Sequence, residues 1–181
     1  MIIEEILYKN GFIIAEMKQI ENSIYNAWPL QEIENDSKAQ SLTEEADDKW
    51  FTKYDMLEIV SNLEYIKKYK EYCDKLNIDT KILLIESPNE YPNTDENVEI
   101  EEVLGYDCIG TINYSYLYKD YKNYEHQLKS ENVVLNKNGL FKKYEDVLKF
   151  IELRKKDMDS GLNIEDFWKK TPIRISIIKN I

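Results

Sequence analysis

Histidine and cysteine are scarce in this chain, and their scarcity limits the chemistry it can perform. His126 is the only histidine, so a zinc site built from several imidazoles is excluded. No serine or cysteine pattern beside it indicates an activated nucleophile. The two cysteines, Cys73 and Cys108, are too few for a disulfide framework and lack metal-ligand spacing, which fits a reducing compartment.

Glycine is scarce as well, with five residues spread over the chain. They are too scattered to form a dinucleotide fingerprint or a phosphate-binding loop. The stretch Asn93–Glu99 has oxygen-bearing side chains at alternate positions, but it lacks the glycine at the sixth place and the closing glutamate of a calcium loop. We therefore expect no cofactor and no metal ion.

Long apolar runs are absent. The longest, such as Ile82–Ile85, are far shorter than the roughly 18 residues that a membrane-spanning helix needs. Glu4 and Glu5 stand near the start, where a secretory signal would have basic residues followed by an unbroken apolar stretch. We expect a cytoplasmic protein.

Negative charge is what the chain has in excess, with a formal net charge of −11. Between Ile82 and Tyr118 there are eight acidic residues and no lysine or arginine, and between Gln19 and Asp48 eight acidic residues face the single Lys38. Such a field repels nucleic acid and anionic lipid and attracts basic partners. We expect a basic protein partner, no nucleic acid and no membrane; acidic loops that only confer solubility are the alternative.

The composition predicts one α+β domain covering residues 1–181. The length is usual for a single domain, and 43% hydrophobic with 33% charged residues is an ordinary globular mixture. Predicted strands and helices mix without a regular strand–helix–strand repeat. That order favours a mixed or antiparallel sheet with packed amphipathic helices over a doubly wound fold.

In the first half of the chain, residues 2–8 and 12–17 are β-rich runs separated by Lys9-Asn10-Gly11. Asn-Gly between such runs predicts an N-terminal β-hairpin. A short helix is predicted near Ile20–Ala27. From Phe51 to Leu76 apolar residues recur at helical spacing, which predicts one long amphipathic helix that starts near Thr52 and ends at Asn77.

In the second half, short apolar runs and amphipathic stretches alternate. Val98–Val103 either pairs as a strand or lies along the surface, and a turn is predicted at Asn136–Gly139. The other predicted elements are strands at Lys81–Glu86, Tyr106–Ile112 and Ile173–Ile178 and helices at Tyr116–Lys129 and Lys142–Met158.

Carboxylates interleaved with tyrosines are typical of a protein-binding face. Tyrosine supplies rigid contact area, and carboxylates steer a basic partner. We therefore predict no catalytic residue, and a partner-binding site made of Glu90, Tyr91, Asp95, Glu96, Glu99, Glu101, Glu102, Tyr106 and Asp107.

A family resemblance points the same way and covers mainly residues 81–178. The strand ILLIE at Ile82–Glu86 is followed by Leu104-Gly105-Tyr106-Asp107, Tyr114-Ser115-Tyr116 and Leu135–Phe141, then by an amphipathic helix and a last strand. This order resembles small bacterial proteins of the toxin-immunity type. The resemblance implies a cytoplasmic inhibitor that binds a cognate toxin domain, often a nuclease, and performs no chemistry itself.

Two other functions fit the same sequence. Thirty-five acidic residues offer many pairings of carboxylates, and such a pair is able to act as acid and base in a small-substrate enzyme. A structural protein with acidic loops for solubility is the other. A deep pocket with converging acids would favour the enzyme, and a shallow acidic face would favour binding.

Overall fold

The structure, a computed structural model, describes residues 6–17, 51–54, 57–90, 93–109, 116–159 and 171–179. Its strands form one sheet in the order β2-β3-β1-β4-β6-β5, and every neighbouring pair is antiparallel. The strands are β1 (Tyr8–Glu16), β2 (Phe51–Tyr54), β3 (Leu57–Val60), β4 (Thr80–Ser87), β5 (Ile100–Ile109) and β6 (Thr171–Ile178). The helices are α1 (Leu63–Lys75), α2 (Tyr116–Ser130) and α3 (Tyr144–Asp159). The predicted α+β class is confirmed.

Helices cover both faces of the sheet, which explains the unbroken apolar run of β4. Successive side chains of a strand point to opposite faces. Leu83 and Ile85 belong to the hydrophobic cluster that α2 and α3 complete, whereas Ile82 and Leu84 belong to the cluster that α1 completes. A central strand covered on both faces is thus apolar at every position rather than at alternate ones.

The predicted N-terminal hairpin is wrong. Lys9, Asn10 and Gly11 lie inside the single strand β1, which pairs along its whole length with β4, from Tyr8↔Ser87 to Glu16↔Thr80. A bulge between Lys9 and Gly11 absorbs the Asn-Gly pair, with Gly11 at φ +151°. Burial of the apolar residues after Gly11 in a central strand outweighs the local turn preference. Residues 2–5 of this prediction lie outside the described residues.

The predicted helix from Phe51 to Leu76 is wrong in its first part, nearly half of its length. Phe51–Tyr54 and Leu57–Val60 are antiparallel strands, and α1 begins only at Leu63. Asn62 caps it, because its side-chain oxygen accepts a hydrogen bond from the N–H of Tyr65 at 2.9 Å. The predicted end is confirmed: Asn77 has φ 58°, the left-handed conformation that stops a helix.

The later elements agree closely with the sequence. Helices α2 and α3, strand β6 and the turn at Asn136–Gly139 are confirmed within one or two residues. The sequence predicts a strand or a surface segment at Val98–Val103 and a strand at Tyr106–Ile112; the structure has one strand with bulges, β5, which begins at Ile100. The helix predicted near Ile20–Ala27 and the residues after Ile109 in the predicted strand lie outside the described residues. None of the described helices is long and apolar enough to cross a membrane.

Candidate protein-binding surface

Strand β5 is the last strand of the sheet, and part of its outer side is covered by the chain itself. Tyr106 donates its N–H to the carbonyl of Phe141 at 2.9 Å and accepts the N–H of Phe141 at 3.0 Å. The carbonyl of Leu104 accepts the side-chain amides of Asn136 at 2.6 Å and Asn138 at 3.3 Å. The turn before α3 therefore closes the outer edge of β5 at Leu104–Tyr106.

Gly105 makes this close approach possible. A Cβ placed on it would lie 2.7 Å from the carbonyl oxygen of Phe141 and 2.8 Å from Cβ of Leu140. Its φ of 141° is also one that other residues rarely adopt. Gly105 thus has a structural role, because only glycine lets the turn before α3 pack this closely on β5.

The first four residues of β5, Ile100–Val103, form what we call the open edge. Ile100 keeps 36% of its surface exposed and Val103 keeps 47%, although both are apolar strand residues. Glu101 and Glu102 are exposed as well. Single exposed apolar residues are ordinary on a protein surface, but two of them on an edge strand offer contact area to another chain.

Five of the nine predicted binding residues lie on the open edge or in the segment that leads into it. We call this group the acidic edge: Asp95, Glu96, Glu99, Glu101 and Glu102, all of them exposed. The leading segment is fixed at both ends, because Thr94 donates its N–H to the carbonyl of Lys9 at 2.9 Å and Glu99 accepts the N–H of Lys179 at 2.8 Å. Between these points Val98 packs into the α1 cluster. The segment is thus held against the protein, while its carboxylates, Asp95, Glu96 and Glu99, remain exposed to solvent.

Lysines from neighbouring elements pair with three of these carboxylates. Glu99 contacts Lys179, Glu101 lies 3.6 Å from Lys81, and Glu102 lies 3.5 Å from Lys137. Exposed pairs of this kind are worth about 0–1 kcal/mol, because water screens them and long side chains lose freedom. A basic partner is therefore able to displace the lysines at little cost.

Four of the predicted residues are not part of the acidic edge. Glu90 is exposed near the other end of the strands, where it accepts a hydrogen bond from the Tyr8 hydroxyl at 3.0 Å and so raises the pKa of Tyr8. Tyr91 lies outside the described residues. Tyr106 is half-buried against the ring of Tyr144, with 6.1 Å between centroids.

Asp107 is buried, with 3% of its surface exposed, and one of its carboxylate oxygens accepts the N–H of Cys108 at 2.6 Å. A tyrosine beside a carboxylate predicts a binding face at Tyr106-Asp107. Packing of the turn before α3 against β5 leaves Tyr106 half-buried and Asp107 buried instead.

Sequence reasoning missed one charged pair, which links β4 to β6. Arg174 donates two hydrogen bonds to the carboxylate of Glu86, from Nε at 2.6 Å and from Nη2 at 2.8 Å. These bonds raise the pKa of Arg174 further, and Tyr106 adds to the effect. The available signal was a charged residue inside each of two apolar strands, because such residues are seldom buried without a partner.

Within the described part of the chain, no group of three or more histidine, cysteine, aspartate or glutamate side chains is arranged to hold a metal ion. His126 is exposed on α2. Cys73 and Cys108 are both buried, in different hydrophobic clusters, and form no disulfide.

Comparison with known proteins gives no relative: no family model matches the chain, and neither curated proteins nor solved structures show significant similarity to it.

Proposed function

We propose that this chain is a non-enzymatic binding protein of the immunity type, which neutralises a basic toxin domain by covering its active-site cleft. The acidic edge would be the surface that makes this contact. A nuclease is a fitting class of toxin, because a cleft that holds nucleic acid must be basic. The chain would act by occlusion and charge complementarity, and none of its residues would take part in a chemical step.

The observation that carries this proposal is the grouping of exposed carboxylates with exposed apolar residues in Glu99–Val103, with two further exposed carboxylates, Asp95 and Glu96, in the segment that leads from its anchor on β1 to β5. Asp95, Glu96, Glu99, Glu101 and Glu102 come from one segment of the chain, and Ile100 and Val103 lie among them. Carboxylates attract a basic partner over long range and fix its orientation, and apolar side chains supply the contact that water leaves on binding. Tyr106 would contribute less, since it is half-buried against Tyr144.

Binding of a basic domain at the acidic edge would break few stabilising interactions of the chain itself. Of the lysines that pair with these carboxylates, Lys137 and Lys179 are exposed to solvent and Lys81 is partly exposed. Exchange of a lysine of the same chain for one of the partner keeps the number of ion pairs constant. Affinity would then depend on packing around Ile100 and Val103, and rate of association would depend on charge.

The proposal is tested by capture of the partner with the tagged chain. Lysate of the host organism, with the neighbouring reading frames expressed, is passed over the tagged protein at low and at high salt. We expect a basic domain to be retained at low salt and released at high salt. Its toxicity, measured as loss of growth when it is expressed alone, should disappear when the two proteins are expressed together.

Two charge-reversal variants separate this surface from net charge in general. The test variant carries lysine at Glu96, Glu99, Glu101 and Glu102. The control variant has the same net charge and carries lysine at exposed positions of α1 and α3, namely Glu64, Glu71, Glu145 and Glu152. We expect the test variant to bind at least about tenfold more weakly and the control to bind nearly as well as the parent. Equal effects of the two variants, or no retention of any basic protein, would refute the proposal.

A further inference from the structure

The open edge of β5 has a specific geometry that goes beyond its charge. Among the backbone hydrogen bonds of the described residues, those on the outer side of β5 join it to the turn before α3 at Leu104 and Tyr106. None of the described residues makes a backbone bond to the outer side of Ile100–Val103. An edge strand of this kind presents a row of N–H and C=O groups on which another extended chain is able to pair.

The side chains around this edge select the chain that would pair there. Proteins commonly guard an edge strand with charges and bulges, and both are present here, since β5 has bulges at Ile100/Glu102 and at Val103/Gly105. The charges that Glu99–Val103 itself carries are of one sign, namely Glu99, Glu101 and Glu102, and the lysines that pair with them belong to neighbouring elements. Two copies of this edge therefore repel each other, whereas a lysine-rich or arginine-rich strand is attracted.

The register also fixes the pattern that such a strand would need. Ile100 pairs with Ile178 and Val103 pairs with Ser176, two residues apart on β6, so these exposed apolar side chains lie on one face of the sheet. Glu102 pairs with Ile177 and lies on the other face. A strand placed beside β5 would meet apolar side chains on one face and a carboxylate on the other.

We propose that the open edge receives an extended segment of a basic protein as an additional strand, with apolar and basic residues in alternation. This proposal rests on the function proposed above and adds the mode of binding and the kind of segment. Four residues of strand span about 13 Å, so the segment would be about four or five residues long. Main-chain hydrogen bonds would supply affinity, and the alternating side chains would supply selectivity.

The test uses a synthetic peptide of four Lys-Val repeats, blocked at both ends, as the probe. A second peptide has the same sequence with its backbone nitrogens methylated over the central residues. Methylation removes the N–H donors and leaves charge and side chains unchanged. A third peptide carries glutamate in place of lysine. Dissociation constants are measured by calorimetry with the full chain, and amide hydrogen exchange is followed by NMR at Ile100, Glu101, Glu102 and Val103.

We expect the unmethylated Lys-Val peptide to bind and to slow amide exchange in the open edge. The methylated peptide should bind at least about tenfold more weakly, the loss expected for one or two main-chain hydrogen bonds. The glutamate peptide should not bind.

Equal binding of the methylated peptide would overturn strand addition and leave charge-driven binding by the acidic edge intact. Absence of binding by all three peptides would also overturn strand addition. In that case the proposed function is tested separately by the capture experiment. It requires that the parent protein retain a folded basic domain and that the four-lysine test variant fail to retain it.

Discussion

At the scale of single residues, Gly11 shows how closely the strands of this sheet approach each other. A Cβ on Gly11 would lie 2.4 Å from Cγ2 of Ile59 and 2.9 Å from the carbonyl oxygen of Val60. Both neighbours belong to β3, and Ile59 is fully buried. The φ of +151° at Gly11 is unfavourable for any other residue. The bulge in β1 therefore requires glycine at this position twice over: a side chain would have no space, and the backbone conformation suits glycine alone.

We expect Gly11→Ala to lower the free energy of unfolding by about 3 kcal/mol, from overpacking together with backbone strain. Urea denaturation followed by circular dichroism measures this change. An unchanged midpoint would show that β1 is able to shift away from β3, contrary to the fixed register described here.

Asp146 is a residue whose environment makes stability depend on pH. Burial raises the pKa of its carboxyl above 3.8, and Lys149 and Lys143 oppose this only in part. The folded state then holds the proton more tightly than the unfolded chain does. The contribution of Asp146 to stability is therefore greatest at low pH and declines as the pH rises from about 3.8 through the raised value.

The variant Asp146→Asn has no proton to lose and serves as the reference. We expect the stability of the parent, minus that of the variant, to fall as the pH rises from 3.8 toward neutrality. Urea denaturation of both proteins over that range gives the difference. A difference that is constant or that grows with pH would contradict the assignment.

At the scale of elements, the pair between Glu86 and Arg174 fixes how β4 and β6 align. The two residues are direct neighbours in the antiparallel ladder. Glu86 is 4% exposed, so its carboxylate depends on the two hydrogen bonds from Arg174. A slip of β6 by one residue would remove those bonds and turn Ile173, Ile175 and Ile177 to the wrong face of the sheet.

A double-mutant cycle tests this role. Arg174→Met leaves the buried carboxylate of Glu86 without this partner, and we expect it to cost about 3 kcal/mol. Glu86→Leu combined with Arg174→Met should recover most of that loss, because two apolar residues need no hydrogen bonds. Chemical denaturation of the parent, both single variants and the double variant provides the measurement. If the losses of the single variants simply add, the pair does not stabilise the alignment.

At the scale of the whole molecule, the net charge of −11 makes the folded state repel itself. At the acidic edge, Glu99, Glu101 and Glu102 pair with lysines that water reaches, and ion pairs screened in this way contribute little to stability. Salt screens long-range repulsion between surface charges. Added salt should weaken the repulsion more than it weakens these ion pairs, so moderate salt should stabilise the folded state.

We expect the melting temperature to rise by about 2–4 °C between 0.05 M and 0.5 M sodium chloride. The variant with lysine at Glu96, Glu99, Glu101 and Glu102 is the control. Each reversal adds two positive charges, so its net charge rises from −11 by eight, to −3. Its melting temperature should depend less on salt. A fall with added salt in the parent would mean that local ion pairs outweigh repulsion.

The sequence by itself determined the elements whose preferences are local. Helices α2 and α3 have apolar stripes at helical spacing, and β4 and β6 are apolar runs, so both kinds of element were predicted nearly to the residue. The acidic character of the stretch before and within β5 was equally predictable, because charge is a property of the residues themselves. Five of the nine predicted binding residues are accordingly exposed, three at the edge of β5 and two in the segment that leads into it.

Tertiary structure alone decided the features that depend on contacts between distant segments. The Asn-Gly pair became a bulge, because pairing of β1 with β4 buries more apolar surface than a tight turn would. Residues 51–54 and 57–60 became strands, because their backbone groups pair with each other and, at Val60, with β1. Tyr106 is half-buried and Asp107 buried, because Phe141, 35 residues after Tyr106, pairs with Tyr106 and closes the edge there. Local preferences of a few kcal/mol or less yield to such burial, which no single segment of the sequence encodes.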